Sequence, residues 1–350
     1  MFVKNAWYCA GWDYEFTQSK DSLVTRKIAN ERVVLYRRLD GVLVAFEDRC
    51  PHRQAALSLG RKEGDSLRCM YHGMRFGPDG TCNEIPGQSR IPDRACVRAF
   101  PVIEKDNWVW VWMGDPVKAD PALIPFAVGP SEPEWNIKTS KMHVKTNYRN
   151  EIANLSDLSH ITWIHENTVG GSRKYTEVSP EFELIPRGMK TRYWVRSCAA
   201  PGAARHLFAP DALFDIHFDI CHTIPCTWIL HYRLFTAGTA TEGESNGQLI
   251  LDTWSSQAVT PRDEDSVDYY FSWGASRATD FPGGSDMLKE AVVIAFQEDA
   301  VQLEAQHIRQ KEKPDFQQID IPLDAGPGKM LWVLDRLLRQ EATEQISLSQ

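Results

Sequence analysis

The stretch Cys50-Pro51-His52-Arg53 is answered, sixteen residues beyond Arg53, by Cys69-Met70-Tyr71-His72-Gly73. Each arm offers one thiolate and one imidazole, at Cys-x-His and Cys-x-x-His spacing, so a single loop can place both on one metal or cluster. A lone Zn²⁺ could take the four ligands tetrahedrally. A [2Fe–2S] cluster could instead take the two cysteines on one iron and the two histidines on the other. Structural zinc sites usually pair Cys with Cys and His with His, whereas here each arm mixes them. That order suits a cluster whose two irons lie across two loops, each loop feeding both.

Outward from the arms the pattern is strand-like. Val33-Val34-Leu35-Tyr36 and Val42-Leu43-Val44-Ala45-Phe46 flank an Asp40-Gly41 turn, and Asn107 to Met113 alternates aromatic and β-branched residues. Residues 1–115 therefore read as a small all-β domain. Asp120-Pro121, Pro125, Gly129-Pro130 and Pro133 interrupt regular structure over a linker at 116–134. Residues 135–350 form a second domain. In it, Asn150 to His165 has helical spacing, Tyr193-Trp194-Val195, Trp228-Ile229-Leu230 and Tyr269-Tyr270-Phe271 read as strands, and helices are expected over Asp286–Gln310 and about Lys329–Arg339.

Composition narrows the class. The 350 residues carry 39 Lys and Arg against 47 Asp and Glu, a formal charge of -8, with no basic run to track a phosphate backbone. No nucleic-acid role is expected. No run of 18 or more apolar residues occurs, and the start Met1-Phe2-Val3-Lys4 opens no apolar leader, so no membrane association and a cytoplasmic location are expected. Eight cysteines (Cys9, Cys50, Cys69, Cys82, Cys96, Cys198, Cys221 and Cys226) in so long a chain are expected to be free thiols or metal ligands.

A second constellation lies in Asn154-Leu155-Ser156-Asp157-Leu158-Ser159-His160-Ile161-Thr162-Trp163-Ile164-His165. On a regular helix five steps turn about 500°, which leaves the two histidines roughly 140° apart. They meet on one metal only if the helix is broken or bulged between them. Gln297-Glu298-Asp299 on the long late helix supplies a carboxylate. Two histidines and one carboxylate make the facial set of non-haem Fe(II) oxygenases. Helix phase does not separate Glu298 from Asp299.

The two arms, followed by Trp110-Val111-Trp112-Met113-Gly114-Asp115-Pro116, resemble the Rieske domain of ring-hydroxylating and O-demethylating oxygenases. The likeness is closest to the short oxygenases of the vanillate O-demethylase, dicamba O-demethylase and toluenesulfonate methyl-monooxygenase type, and it covers nearly the whole chain. It implies an α+β chain: an N-terminal all-β Rieske [2Fe–2S] domain, then a helix-grip catalytic domain of antiparallel sheet plus long helix. It implies Cys50 and Cys69 on one iron of the cluster and His52 and His72 on the other. The pattern Asp-x-x-His-x-x-x-x-His is matched by Asp157, His160 and His165, and the third ligand of a mononuclear Fe(II) by Asp299. Asp157 would link His160 to the partner subunit's His72 in a homotrimer.

The same resemblance implies a terminal oxygenase component that hydroxylates or O-demethylates a small, anionic aromatic compound with O₂. Electrons would come from NAD(P)H through a flavin- and ferredoxin-type reductase, since no Gly-x-Gly-x-x-Gly fingerprint is present here. A buried Arg or His would then pair with the anion, and Arg173, His206, His217 and His222 are the candidates. A dioxygenase forming cis-dihydrodiols shares both metals. A Rieske electron carrier would need only the first 115 residues.

Overall fold

A computed structural model describes residues 1–16, 22–225, 227–240 and 247–348, the last four without their side chains. Cys226 lies outside the described residues. Two compact units are present, one of Phe2–Ile124 with Thr260–Asp263, the other of Met1, Pro125–Val259 and Glu264–Gln350.

The first unit is all β. Trp7–Trp12, Trp108–Trp112 and Val102–Lys105 form one sheet, and Val24–Ile28, Glu31–Arg37, Leu43–Glu47 and Ala99–Phe100 a second. Gly41 has φ +88° and Arg38 N donates to Val42 O at 2.9 Å, which closes the expected Asp-Gly hairpin. The strand expected from Asn107 starts at Trp108 instead. Asp106 and Asn107 have φ 55° and 63°, left-handed values that make them the two-residue turn between strands. A third, small sheet of Arg61–Glu63, Ser66–Arg68, Arg75–Phe76 and Cys82–Glu84 carries the second ligand arm.

The second unit is a seven-stranded sheet in the order Trp135–Val144, Ser266–Ser276, Leu249–Asp263, Thr227–Thr236, Leu213–Thr223, Gly188–Ala199, Glu181–Ile185. Residues directly opposite share a face. Trp228, Leu230 and Tyr232 sit opposite His222, Ile220 and Phe218 on one face, while Arg233 sits opposite His217 on the other. Among the described residues four α-helices accompany the sheet: α1 (Tyr148–Ser156), α2 (Ile161–Ile164), α3 (Gly284–Glu312) and α4 (Ala325–Leu348). Phe296 of α3 stacks on Tyr269, ring centroids 5.0 Å apart, and meets Phe271 edge-on at 4.8 Å. Arg149 of α1 is held by Asp335 of α4 through two bonds of 2.7 and 3.2 Å.

The single helix expected over Asn150–His165 is two helices. α1 stops at Ser156, and the Asp157 carboxylate accepts from Ser159 N at 2.8 Å and from Ser159 Oγ at 3.0 Å. Such a side-chain turn competes with the helical ladder, which resumes for only one turn at Ile161.

Ser156 Oγ meets His222 Nδ1 at 3.0 Å where α1 docks on the sheet. Burial pushes the His222 imidazole from the ordinary 6.5 down to about 3. A depressed folded-state value means this group's contribution is present above the unfolded value and is lost as pH falls. His222→Met should therefore lose less stability than the parent between about pH 6 and pH 4, as read by thermal melts across that range. Parallel losses in both proteins would contradict it.

Candidate metal centres

The two arms of the first unit close in the same way. Cys50 N donates to Ala55 O at 2.8 Å and Cys69 N to Met74 O at 2.8 Å, while Gln54 N and Gly73 N donate back to the two cysteine carbonyls at 2.9 Å each. Gln54 and Gly73 occupy equivalent places, with φ +58° and +76°. At Gly73 a Cβ would also stand 2.7 Å from Pro86 Cγ, so both conformation and space demand glycine. Arg68 braces this arm by donating to Gly73 O at 2.6 Å and to the Glu63 and Glu84 carboxylates.

Cys50 and Cys69 are 2% exposed and belong to the core cluster with Phe46, Leu57, Leu67 and Phe76. His52 and His72 are exposed, their ring centroids 4.5 Å apart. Burial, with Cys69 adjacent, pushes the Cys50 thiol up to about 11. Two buried sulfurs thus have no positive partner of their own, and iron bound there would supply one. The donor set fits a cluster with sulfurs inward and imidazoles at the surface. Among the described residues no disulfide joins the seven cysteines, Cys9, Cys82, Cys96, Cys198 and Cys221 as well as Cys50 and Cys69.

In the second unit the break after α1 turns His160 toward His165, with ring centroids 5.3 Å apart. One ligand atom each of His160, His165 and Asp299 lie within 4.8 Å of one another. Asp299 Oδ2 is 3.1 Å from His165 Nε2 and Oδ1 is 3.5 Å from His160 Nε2. Asn154 Nδ2 donates to Asp299 Oδ1 at 3.0 Å.

The two neighbouring carboxylates have different surroundings. Asp299 lies on the buried face of α3 with Ala291, Val292, Ala295, Phe296 and Leu303. Glu298, a step round the helix, takes the far nitrogen of His165 at 2.8 Å and Thr168 Oγ1 at 3.0 Å. It therefore sets which nitrogen of His165 faces Asp299. Burial lowers His165, yet its bonds to Asp299 and Glu298 carry it above the ordinary imidazole value. Burial holds His160 below that value although Asp299 opposes it. Burial and the Asp299 charge push Glu151, fully enclosed in α1, up to about 8. Glu151 is thereby mostly protonated near neutral pH, so the oxygen and nitrogen donors left to face one another are one buried carboxylate and two imidazoles, a set that suits a divalent cation.

The His160 ring bonds the Asp157 main-chain carbonyl, and within the chain the Asp157 carboxylate serves Ser159.

The three residues line a cavity of about 390 Å³ walled by Leu158, Phe208, Phe218, Leu230, Leu288 and Phe296 among others. None of Arg173, His206, His217 or His222 lines it, and no Lys or Arg does so among the described residues. His217 faces the reverse side of the sheet, where Arg233 Nη2 meets its Nδ1 at 2.9 Å. Arg173 rides over the exposed Trp163 ring, and His206 is exposed. The expected cation for an anionic substrate is thus missing from the cavity. Sequence reading missed Asn154, Tyr232, Gln257 and Trp273 in the lining. Strand alternation groups Trp228, Leu230, Tyr232 and Leu234, but only packing shows which face meets the helices.

Residues 6–101 match the Rieske [2Fe–2S] domain family and residues 144–340 the vanillate O-demethylase oxygenase C-terminal domain family. An all-β Rieske domain ahead of a sheet-and-helix domain with a His/His/Asp site defines the oxygenase component of a Rieske non-haem iron monooxygenase. The chain is 34% identical to a toluene-4-sulfonate monooxygenase system iron-sulfur subunit of Comamonas testosteroni, covering 97% of this chain and 98% of that one. It is 31% identical to a vanillate O-demethylase oxygenase subunit of Pseudomonas sp., covering 97% and 96%. The crystal structure of dicamba monooxygenase bound to dicamba superposes with TM-score 0.86 at 27% identity over 98% of this chain and 99% of that one. The chain belongs to the vanillate O-demethylase-type family of Rieske oxygenases. It is an oxidoreductase whose cofactors are a [2Fe–2S] cluster and a mononuclear iron, and it works with a reductase. No described helix is long and apolar enough to cross a membrane.

The carboxylate assignment has a direct measurement. Asp299→Ala should abolish iron binding at the second site, whereas Glu298→Ala should weaken it about 10- to 100-fold. Iron titration of each variant, monitored apart from the cluster absorbance, checks this. Equal retention of iron in both would refute the division of roles.

Proposed function

We propose that this chain uses O₂ to hydroxylate or O-demethylate a small aromatic compound, with Cys50, Cys69, His52 and His72 holding the cluster and His160, His165 and Asp299 holding Fe(II). The observation that carries the reading is the convergence of two imidazoles and one carboxylate at the wall of an apolar cavity. A two-histidine, one-carboxylate iron keeps positions open for O₂ and substrate, and a His-ligated cluster stores single electrons. The chain's own residues prepare that chemistry. Glu298 fixes the His165 ring, Asn154 orients Asp299, and the apolar wall excludes water from the substrate. The relatives' names, a sulfonate monooxygenase and O-demethylases, support insertion of one oxygen atom over cis-dihydroxylation.

The reductase is proposed to be of the flavin and ferredoxin type, drawing on NAD(P)H, and the location cytoplasmic. Residues 1–115, a 116–134 linker and 135–350 are proposed as the functional division. The assembly is proposed to be a homotrimer in which Asp157 links His160 to the partner subunit's His72. Surface chemistry supports an assembly: Tyr71 is 62% exposed beside His72, and Trp163 is 65% exposed beside the His160 segment. Each offers apolar area that a subunit contact would cover.

Two variants test the reading. His160→Ala should stop O₂-dependent product formation and remove one iron per chain while the reduced cluster keeps its EPR signal. Loss of that signal together with the iron would show that the sites are not separate. Asp157→Asn should retain both metals yet nearly stop turnover, and co-assembly with His72→Ala chains should restore part of it. No recovery in verified mixed oligomers would eliminate the route between subunits.

A further inference from the structure

Two hydrogen-bond donors of the cavity wall have no partner among the described residues. Tyr232, 8% exposed, and Trp273 both line it from the inner face of the sheet. Tyr232 Oη and Trp273 Nε1 are buried without a hydrogen-bond partner among the described residues. Their rings stand edge to face with centroids 6.4 Å apart. Other polar groups of the wall are already engaged. Asn154 donates to Asp299, Thr168 to Glu298, Thr253 to the Tyr232 carbonyl, and Gln257 bonds Tyr269 and Ser255.

Leaving a buried donor unmade forfeits a bond available in water, and of the unpartnered buried donors among the described residues, which include Trp108, Trp110 and Tyr193, only Tyr232 and Trp273 line the cavity. Here the missing partner has a definable chemistry. An indole N–H donates only, and burial pushes the Tyr232 phenol well above its ordinary value, so it too keeps its proton. The pair accordingly seeks an acceptor atom. That acceptor is uncharged, because the donors themselves are neutral and, among the described residues, no Lys or Arg lines the cavity to compensate an anion buried against this apolar wall.

We propose that Tyr232 and Trp273 form an anchoring subsite for a neutral oxygen acceptor, such as the carbonyl of a ketone, ester or amide, on an aromatic substrate. The inference rests on the oxygenase reading of this cavity and names the substrate class within it. The aromatic body lies among Phe218, Trp228 and Phe296, and the donors fix its orientation from the sheet side, opposite the helix-borne His160, His165 and Asp299. A site that spends hydrogen bonds in this way discriminates against analogues lacking the acceptor.

The test uses a matched trio: para-methoxyacetophenone, para-methoxybenzoate and para-ethylanisole, titrated calorimetrically into the protein loaded with both metal centres. The ketone should bind about tenfold or more tighter than either analogue, one lost hydrogen bond being worth roughly that factor. In Tyr232→Phe and in Trp273→Phe, the loss of affinity for the ketone should exceed the loss for para-ethylanisole by about tenfold. Benzoate binding as tightly as the ketone, no measurable ketone binding, or equal losses across the trio would overturn the subsite. Should a variant fail to fold, the wild-type ranking alone decides. Turnover is scored separately, as formaldehyde released with reductase and O₂. Tight ketone binding without any demethylation would count against the oxygenase reading and leave the subsite standing.

Discussion

Asp299 is 6% exposed, and an ionised carboxylate in so dry a place requires positive charge or donors on every side. Much of the second unit is arranged to meet that requirement. α3 presents Asp299 from its buried face, Asn154 gives it one amide bond, and His160 and His165 close on its two oxygens. Glu151 lies behind, driven up to about 8 by burial and by the same charge. A divalent cation held by His160, His165 and Asp299 would complete the balance.

The first unit solves the same problem in a different geometry. Two loops with matched hydrogen bonds bury Cys50 and Cys69 while leaving His52 and His72 at the surface. Thiolates are stabilised by the metal they bind, so they can sit in a core of Phe46, Leu57 and Phe76. Imidazoles stay at the edge, where a partner's groups can reach them. One spacing is Cys-x-His and the other Cys-x-x-His, yet the left-handed residues Gln54 and Gly73 bring both arms to equivalent closures.

The wall of the cavity is built mostly by residues other than the candidate metal ligands. An apolar wall that carries no Lys or Arg among the described residues favours an uncharged ring. Kinship therefore establishes the chemistry at the metal, and the character of the wall governs what reaches it. Sheet residues supply that wall, and they are free to vary without touching the iron ligands.

From the sequence alone came the cluster ligands' spacing, the all-β first domain, the late helix and the His160/His165 pair. Those features are local: ligand arms, hairpin turns and helical periods are written in neighbouring residues. Whether the two histidines meet was open, because it depends on a break that the Asp157–Ser159 turn imposes on an otherwise helical pattern. The different surroundings of Asp299 and Glu298, the absence of Arg173, His206, His217 and His222 from the cavity lining, and the orphaned donors of Tyr232 and Trp273 are visible only in the tertiary packing. Which face of a strand is inward, and which side chains across the sheet are left without partners, follows from long-range register and helix docking, and no single segment encodes that.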